Sequence, residues 1–343
     1  MQIIKGTNGF PYAWKAGRVE HLIRAILESK ARDQLNVDRV MIINPTWLQD
    51  NDIANMIQEA NPDFIICHNF ADPVIGRVHE AIVNSGRPNI IVGNTSDYRI
   101  DFWAIVCDLY FRHYRDEELA LLPDCRRYIC LNRKPHPHRR FLVEQLQQAG
   151  VFDQGWVSLG IPGEGAITVD DVFTEEQGIL DEYGSIGVDE RFVSNKIKND
   201  IFSVGNLEVW NRSYLCLVTE TDYLSANLED FFISEKTWKP ILGLRPFYVY
   251  GQPGLRRYLK AQGFDTFEDI FDYRQIDAVD PELFFQFRDR TAQAAIDAVK
   301  RVNNPQIEYE KLFQRCLDNR KRFTGYIQEQ WHRINSLDLT QYV

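Results

Sequence analysis

The sequence has no Cys-x-x-Cys pair among its six cysteines, Cys67, Cys107, Cys125, Cys130, Cys216 and Cys316. Several of them lie in apolar runs, so buried free thiols are expected in place of a disulfide framework or a zinc site. No apolar run approaches the roughly 18–20 residues of a membrane span, and no N-terminal stretch has the layout of a signal peptide. The expectation is a cytoplasmic protein. There is no internal repeat, no low-complexity segment and no Gly-x-Gly-x-x-Gly fingerprint. Basic charge is short: 39 Lys and Arg stand against 49 Asp and Glu, a net charge of -10. That argues against a surface that coats nucleic acid, although a local basic groove can hide within an acidic average. What remains is ordinary globular composition, 44% hydrophobic and 26% charged, with 13% aromatics to fill a core and provide stacking sites. At 343 residues the chain exceeds the roughly 250–300 that one core sustains, so two domains are expected.

Strand and helix patterns alternate through the first third. Met1–Lys5, Arg39–Asn44, Phe64–Cys67 and Asn89–Val92 read as strands; Gly17–Arg32, Asp52–Ala60 and Val74–Ser85 read as helices. That spacing means βαβ units and a parallel sheet covered by helices on both faces. Ligands bind such sheets at the C-terminal strand ends. There lie a glycine-bearing turn, Gly6–Pro11; Pro45–Asp52, whose Asp50-Asn51-Asp52 fits a helix cap; the cluster His68–Pro73 with Asp72; and Gly93–Tyr98 with Asp97.

A boundary at Leu122–Asp124 precedes a strand at Arg127–Leu131, then Asn132-Arg133-Lys134-Pro135-His136-Pro137-His138-Arg139-Arg140, the one dense basic run, and a helix at Phe141–Ala149. A basic loop between a strand end and a helix start suits an anion, and a solvated basic face fits equally. Two histidines spaced by proline lack a third ligand nearby, so no metal site is expected. Further on, Tyr214–Val218 is a strand leading to Glu220. Ser234-Glu235-Lys236 then opens a helix that Gly243 closes before a strand at Phe247–Tyr250. Free N–H groups and the Lys236 ammonium make this helix start an anion site. Glu235 beside it would repel a phosphate, but a carboxylate accepts two hydrogen bonds from the diol of a ribose. Pro240 removes one helical bond and is expected to kink the helix. Pro281–Val302 and Asn304–Trp331 are long helices.

Glu220, the Ser234-Glu235-Lys236 start, Gly243, Pro246 and Gly251 together resemble the donor-binding motif of the α1,3-fucosyltransferase family and its exostosin-like relatives. The resemblance covers about the third quarter of the chain; elsewhere only the layout agrees. It implies an α/β protein of the GT-B type: two Rossmann-like domains facing across a cleft, with long C-terminal helices. The expected boundaries are 1–124 for an acceptor domain, 125–315 for a nucleotide-sugar donor domain, and 316–343 for a helix returning to the first. By resemblance Glu235 holds the ribose, Lys236 and Arg133 the diphosphate, and Glu220 and Ser234 complete the donor site. Asp97 is the nearest match to the family's general base, with Asp72 and His68 as runners-up. The implied activity is inverting, metal-independent transfer from a nucleotide-diphosphate sugar to a hydroxyl of a saccharide or other acceptor, without a further cofactor. Three alternatives stay open: a DNA-base-modifying glycosyltransferase, whose mark would be a basic patch and for which only Arg126–Arg140 qualifies; a nucleotide-sugar epimerase; and a non-catalytic nucleotide-sugar-binding protein.

Overall fold

Runs of Ile, Val and Phe bounded by polar turns build the first sheet, and the computed structural model pairs them in parallel. The structure describes residues 1–6, 15–45, 50–69, 76–93, 98–111, 114–132, 135–159, 204, 207–221, 223, 232–274 and 284–343. β1 (Gln2–Lys5), β2 (Arg39–Ile43), β3 (Phe64–Asn69), β4 (Asn89–Gly93) and β5 (Tyr98–Arg99) lie side by side in chain order, and α1 (Lys15–Gln34), α2 (Asp50–Ala60) and α3 (Gly76–Asn84) connect the first four. Strand residues two apart share a face, so Met41, Ile43, Ile65, Cys67 and Ile91 form one apolar surface. Ile53 and Ile57 of α2 and Val78 and Ile82 of α3, each pair one helical turn apart, close over it. Each fully buried side chain of this kind contributes about 1.5–3 kcal/mol, so this layer holds the sheet to its helices.

The second sheet is β7 (Gly155–Leu159), β6 (Arg126–Asn132), β8 (Ser213–Thr219) and β9 (Phe247–Tyr250) in that spatial order, all parallel. All seven residues of β8 are buried, as a strand covered on both faces requires. The remaining α-helices of the described residues are α4 (Phe102–Phe111), α5 (Pro137–Gln148), α6 (Leu207–Asn211), α7 (Glu235–Leu242), α8 (Leu255–Ala261), α9 (Phe284–Arg301) and α10 (Pro305–Ser336). The protein is therefore α/β with two parallel sheets and long C-terminal helices. Two compact units divide it: Met1–Val106 with Glu229–Phe232 and Ile327–Val343, and Cys107–Leu228 with Ile233–Tyr326. In the first unit the chain end is tied to α1, where Lys30 Nζ donates to the carbonyls of Asn335 at 2.5 Å and Leu337 at 2.9 Å. Among the described residues no helix is long and apolar enough to cross a membrane. All six cysteines are free thiols, five of them buried and Cys125 half-buried.

One helix start differs from the sequence expectation by a full turn. α5 begins at Pro137, four residues before Phe141, because proline at the first helical position gives up an N–H that would be unpaired anyway and brings a fitting φ. Half of the basic run is thus helix, not loop. α7 runs through Pro240 to Leu242 and stops at Gly243, as the sequence leads one to expect.

Gly243 ends α7 for reasons of space. A Cβ there would lie 2.5 Å from the Trp210 ring, whose Nε1–H donates to the Gly243 carbonyl at 2.9 Å. Gly243→Ala is expected to destabilise the protein by about 1–3 kcal/mol, the usual cost of overpacking. A urea midpoint equal to that of the wild type would contradict this.

Candidate functional site

The strand order of the second sheet fixes where its ligand edge lies. From β6 the chain crosses to β7 on one side, and β8 lies on the other, so the connections leaving β6 and β8 part at their C-terminal ends. Such a switch point is the crevice where open α/β sheets take ligands. Asn132 and Thr219 end these two strands and are joined there, Thr219 Oγ1 donating to Asn132 Oδ1. Asn132 Nδ2 also donates to the Ser158 carbonyl of β7 at 3.0 Å, which ties three strand ends together. The first turns of α5 and α7 belong to the same crevice.

Ser234 caps α7 as its type predicts: its hydroxyl accepts from the Lys236 N–H at 3.3 Å. What fixes the cap in place is Glu220, fully buried one residue beyond β8. Its carboxylate accepts from the Ser234 hydroxyl, the Thr237 hydroxyl at 2.5 Å, and the Ser234 and Thr221 N–H groups, each at 3.3 Å. Glu220 therefore commits its lone pairs to the protein itself and clamps the helix start to the strand end. Gly251 makes room for it, since a Cβ there would stand 3.2 Å from that of Glu220.

With the helix start pinned, Glu235 and Lys236 face each other. Lys236 Nζ donates to Glu235 Oε1 at 2.9 Å, Ser234 Oγ at 3.1 Å and Thr221 Oγ1 at 3.1 Å. Burial pushes the Glu235 carboxyl up, but Lys236, Lys239 one turn on, and its hydrogen bonds outweigh this and hold it below the ordinary value. Arg139, buried in the first turn of α5, donates through Nη2 to the Thr219 carbonyl at 3.2 Å and to Thr221 Oγ1 at 3.4 Å. The Thr221 hydroxyl oxygen thus sits between a guanidinium and an ammonium. The side chains of Lys236 and Glu235 are 23% and 6% exposed, so the cation covers the carboxylate.

His138 closes the crevice from α5. Its Nε2 lies 2.9 Å from the Glu220 carbonyl, and burial, reinforced by Arg139 and His136, pushes its pKa down to about 4. The ring is neutral at pH 7 and Nε2–H donates. It stacks on Tyr223 at 5.0 Å and parallel to His136 at 5.9 Å, and Tyr223 continues to Tyr250 at 4.7 Å.

At the C-terminal edge of the first sheet lies a second polar cluster, wholly within the first unit. Asn44 Nδ2 donates to Glu20 Oε1 at 2.6 Å, and His68 Nδ1 stands 3.8 Å from the same oxygen. Glu20, Arg24, Asn44 and His68 are all buried. Burial, with Arg24 and His21 adding, pushes His68 down to about 3. Both His138 and His68 lie below their ordinary 6.5, so between pH 6.5 and about 4 the unfolded chain binds protons that the folded one refuses. A tenfold difference in proton affinity between the two states is worth about 1.4 kcal/mol, so acidification through this window is expected to cost a few kcal/mol of stability. Urea midpoints measured from pH 7 to 4 should fall steadily, and a flat profile would contradict this.

Of the residues picked out by sequence, the structure brings Glu220, Ser234, Glu235 and Lys236 together. Asp97, Asp72 and Arg133 lie outside the described residues, as do residues 7–11 of the first turn. His68 stands beside Glu20. Sequence reading missed Thr221 and Glu20, and it singled out neither His138 nor Arg139 within the basic run, which it read as a loop suited to an anion with Arg133 as the candidate. The described part of the stretch 126–140 also spans the whole of β6. Arg126 and Arg127 start β6, about 20 Å of strand from its other end at 3.3 Å per residue. There they fold onto their own unit, Arg126 over the Trp156 ring at 3.9 Å and Arg127 onto Gln154 at 2.7 Å. No family model, curated protein or solved structure matches the chain.

Proposed function

We propose that this protein is a glycosyltransferase that moves a sugar from a nucleotide diphosphate to an acceptor hydroxyl, with inversion, and that its two units work as the facing halves of a GT-B enzyme. The observation that carries the reading is the clamped Ser234-Glu235-Lys236 helix start at the switch point of a parallel sheet, with the Arg139 cation and the Thr221 hydroxyl beside it. Two cations and a helix N-terminus suit a diphosphate. The Lys236 ammonium is satisfied by Glu235. A diphosphate competes for that ammonium, and the carboxylate it releases can accept both hydroxyls of a ribose.

In the transfer, the acceptor oxygen forms a bond to the anomeric carbon from the face opposite the leaving group while the bond from that carbon to the diphosphate oxygen breaks. The acceptor proton passes to a carboxylate of the first unit. Asp97 and Asp72 hold that role by resemblance, and Glu20 joins them as a buried carboxylate on the ligand edge of the first sheet. Negative charge grows on the departing diphosphate, where Lys236 meets it directly and Arg139 supports it through Thr221. Because that charge is larger in the transition state than in the ground state, these cations favour the reaction and not only binding.

The test is thermal stabilisation by UDP, GDP, ADP and CDP, each with and without EDTA. A ligand at about 100 times its dissociation constant adds roughly 2.7 kcal/mol and raises the melting temperature visibly. At least one nucleotide should do so. No shift with any of them would overturn the assignment.

A further inference from the structure

Four hydroxyls lie where the end of β8 meets the start of α7, and three of them donate within the protein. Ser234 and Thr237 donate to the Glu220 carboxylate, and Thr219 donates to Asn132 Oδ1. Thr221 does the reverse. Its Oγ1 accepts from Lys236 Nζ at 3.1 Å and from Arg139 Nη2 at 3.4 Å. An ammonium and a guanidinium can only donate, so both lone pairs of this oxygen are taken and the hydroxyl hydrogen must point away from both cations. Among the described residues no carbonyl, carboxylate or other acceptor takes that hydrogen. The Thr221 N–H is held by the Glu220 carboxylate at 3.3 Å, which fixes the residue just beyond β8. Thr221 is half-buried and the Lys236 side chain is 23% exposed, so solvent reaches this corner of the crevice.

We propose that the Thr221 hydroxyl is a direct ligand of the diphosphate, donating its hydrogen to an oxygen of the phosphoryl group that Lys236 meets. This rests on the nucleotide-diphosphate reading above and adds to it a neutral donor. Two donor groups 3.1 Å apart suit a phosphoryl group, which carries several strong acceptor oxygens on one phosphorus. Hydrogen bonds in series polarise one another, so an oxygen that accepts from two cations releases its own hydrogen as a stronger donor. Arg139 thereby acts on the ligand through Thr221.

The experiment is calorimetric titration of wild type, Thr221→Val, Thr221→Ser, Thr221→Ala and Lys236→Ala. The two probes are inorganic pyrophosphate and whichever of UDP, GDP, ADP and CDP binds wild type most tightly. Threonine and valine have the same shape and differ in the hydroxyl, and serine and alanine differ in the hydroxyl alone. Urea midpoints check the fold of each variant, and the serine and alanine pair decides if Thr221→Val does not fold. Thr221→Val should bind both probes about 10- to 150-fold more weakly than wild type, and Thr221→Ala more weakly than Thr221→Ser by a similar factor, the worth of one hydrogen bond to a charged group. Lys236→Ala should lose both probes. The sign of the effect separates this role from a structural one. If the Thr221 oxygen only accepts from the cations, removing it takes an internal competitor from the Lys236 ammonium, and both probes bind as tightly as before or more so. That result, with binding lost in Lys236→Ala, overturns the Thr221 assignment and leaves the diphosphate site standing. Weakening of the nucleotide but not of pyrophosphate puts the hydroxyl's partner elsewhere on the ligand and also overturns it. A wild type that binds neither probe overturns both.

Discussion

Lys236→Ala is expected to abolish nucleoside-diphosphate stabilisation and to lower kcat/KM for transfer by about 100- to 1,000-fold, the loss seen when one preorganised donor to a developing oxyanion is removed. The cause is local. Lys236 Nζ is the partly exposed end of a set that also includes Ser234 Oγ, Thr221 Oγ1 and Glu235. Removing it takes away the cation that can meet a phosphate and the ammonium that offsets the burial of Glu235. The fold should survive, because the clamp from Glu220 to Ser234 and Thr237 does not involve the lysine side chain. Melting curves with and without the best nucleotide separate the outcomes. Full ligand stabilisation and full transfer in a folded Lys236→Ala would remove the basis of the proposed function.

Arg245→Met is expected to destabilise the second unit by about 3–5 kcal/mol or more, the scale for breaking a buried charged network. Arg245 is 1% exposed and its hydrogen-bond partners are uncharged. Nε donates to the Ser213 carbonyl at 2.8 Å; Nη1 donates to the Leu119 carbonyl at 2.8 Å, the Leu244 carbonyl at 2.9 Å and the Tyr309 hydroxyl at 3.0 Å; Nη2 donates to the Trp210 carbonyl and Asn211 Oδ1, each at 3.2 Å. These acceptors cluster where α6 and α7 end, so the guanidinium meets carbonyls that no helical N–H can satisfy and the negative ends of those helices. Methionine would fill much of the volume and take their donor from the buried Ser213, Leu119 and Trp210 carbonyls, at about 1–3 kcal/mol each where water cannot reach them, while the Leu244 carbonyl keeps the Tyr309 hydroxyl. Against a total stability of roughly 5–15 kcal/mol that is most of the margin. An unfolding midpoint within error of wild type would refute this role.

Much of the scaffold was legible because its signals are local. Strand and helix periodicity placed β2, β3, β4, β8 and β9 within two residues, since a 4–7-residue apolar run between turn residues has few other uses. The Ser234 cap, the Glu235-Lys236 pair and the Gly243 stop follow from the chemistry of a helix start and end. α5 was misplaced because its basic first turn resembles a loop, and only the bonds of His138 and Arg139 to the end of β8 show why a histidine and an arginine stand there. Glu220 was assigned to the ligand by motif; its partners at Thr221, Ser234 and Thr237 became visible only once the strand end and helix start met.

By itself, then, the sequence determined which segments form strands and helices, that the strands pair in parallel, and that a Ser-capped helix start carrying Glu235 and Lys236 follows β8. Each depends on residues within a few positions of one another. Only the tertiary structure decided that β6 and β8 are neighbours with β7 beyond, which brings Arg139, Thr221 and Lys236 into one crevice and sets Arg245 among carbonyls from distant parts of the chain. Such choices turn on strand order and on the pairing of buried polar groups. They are settled by burial of the whole unit, where an unpaired donor or acceptor is too costly to keep.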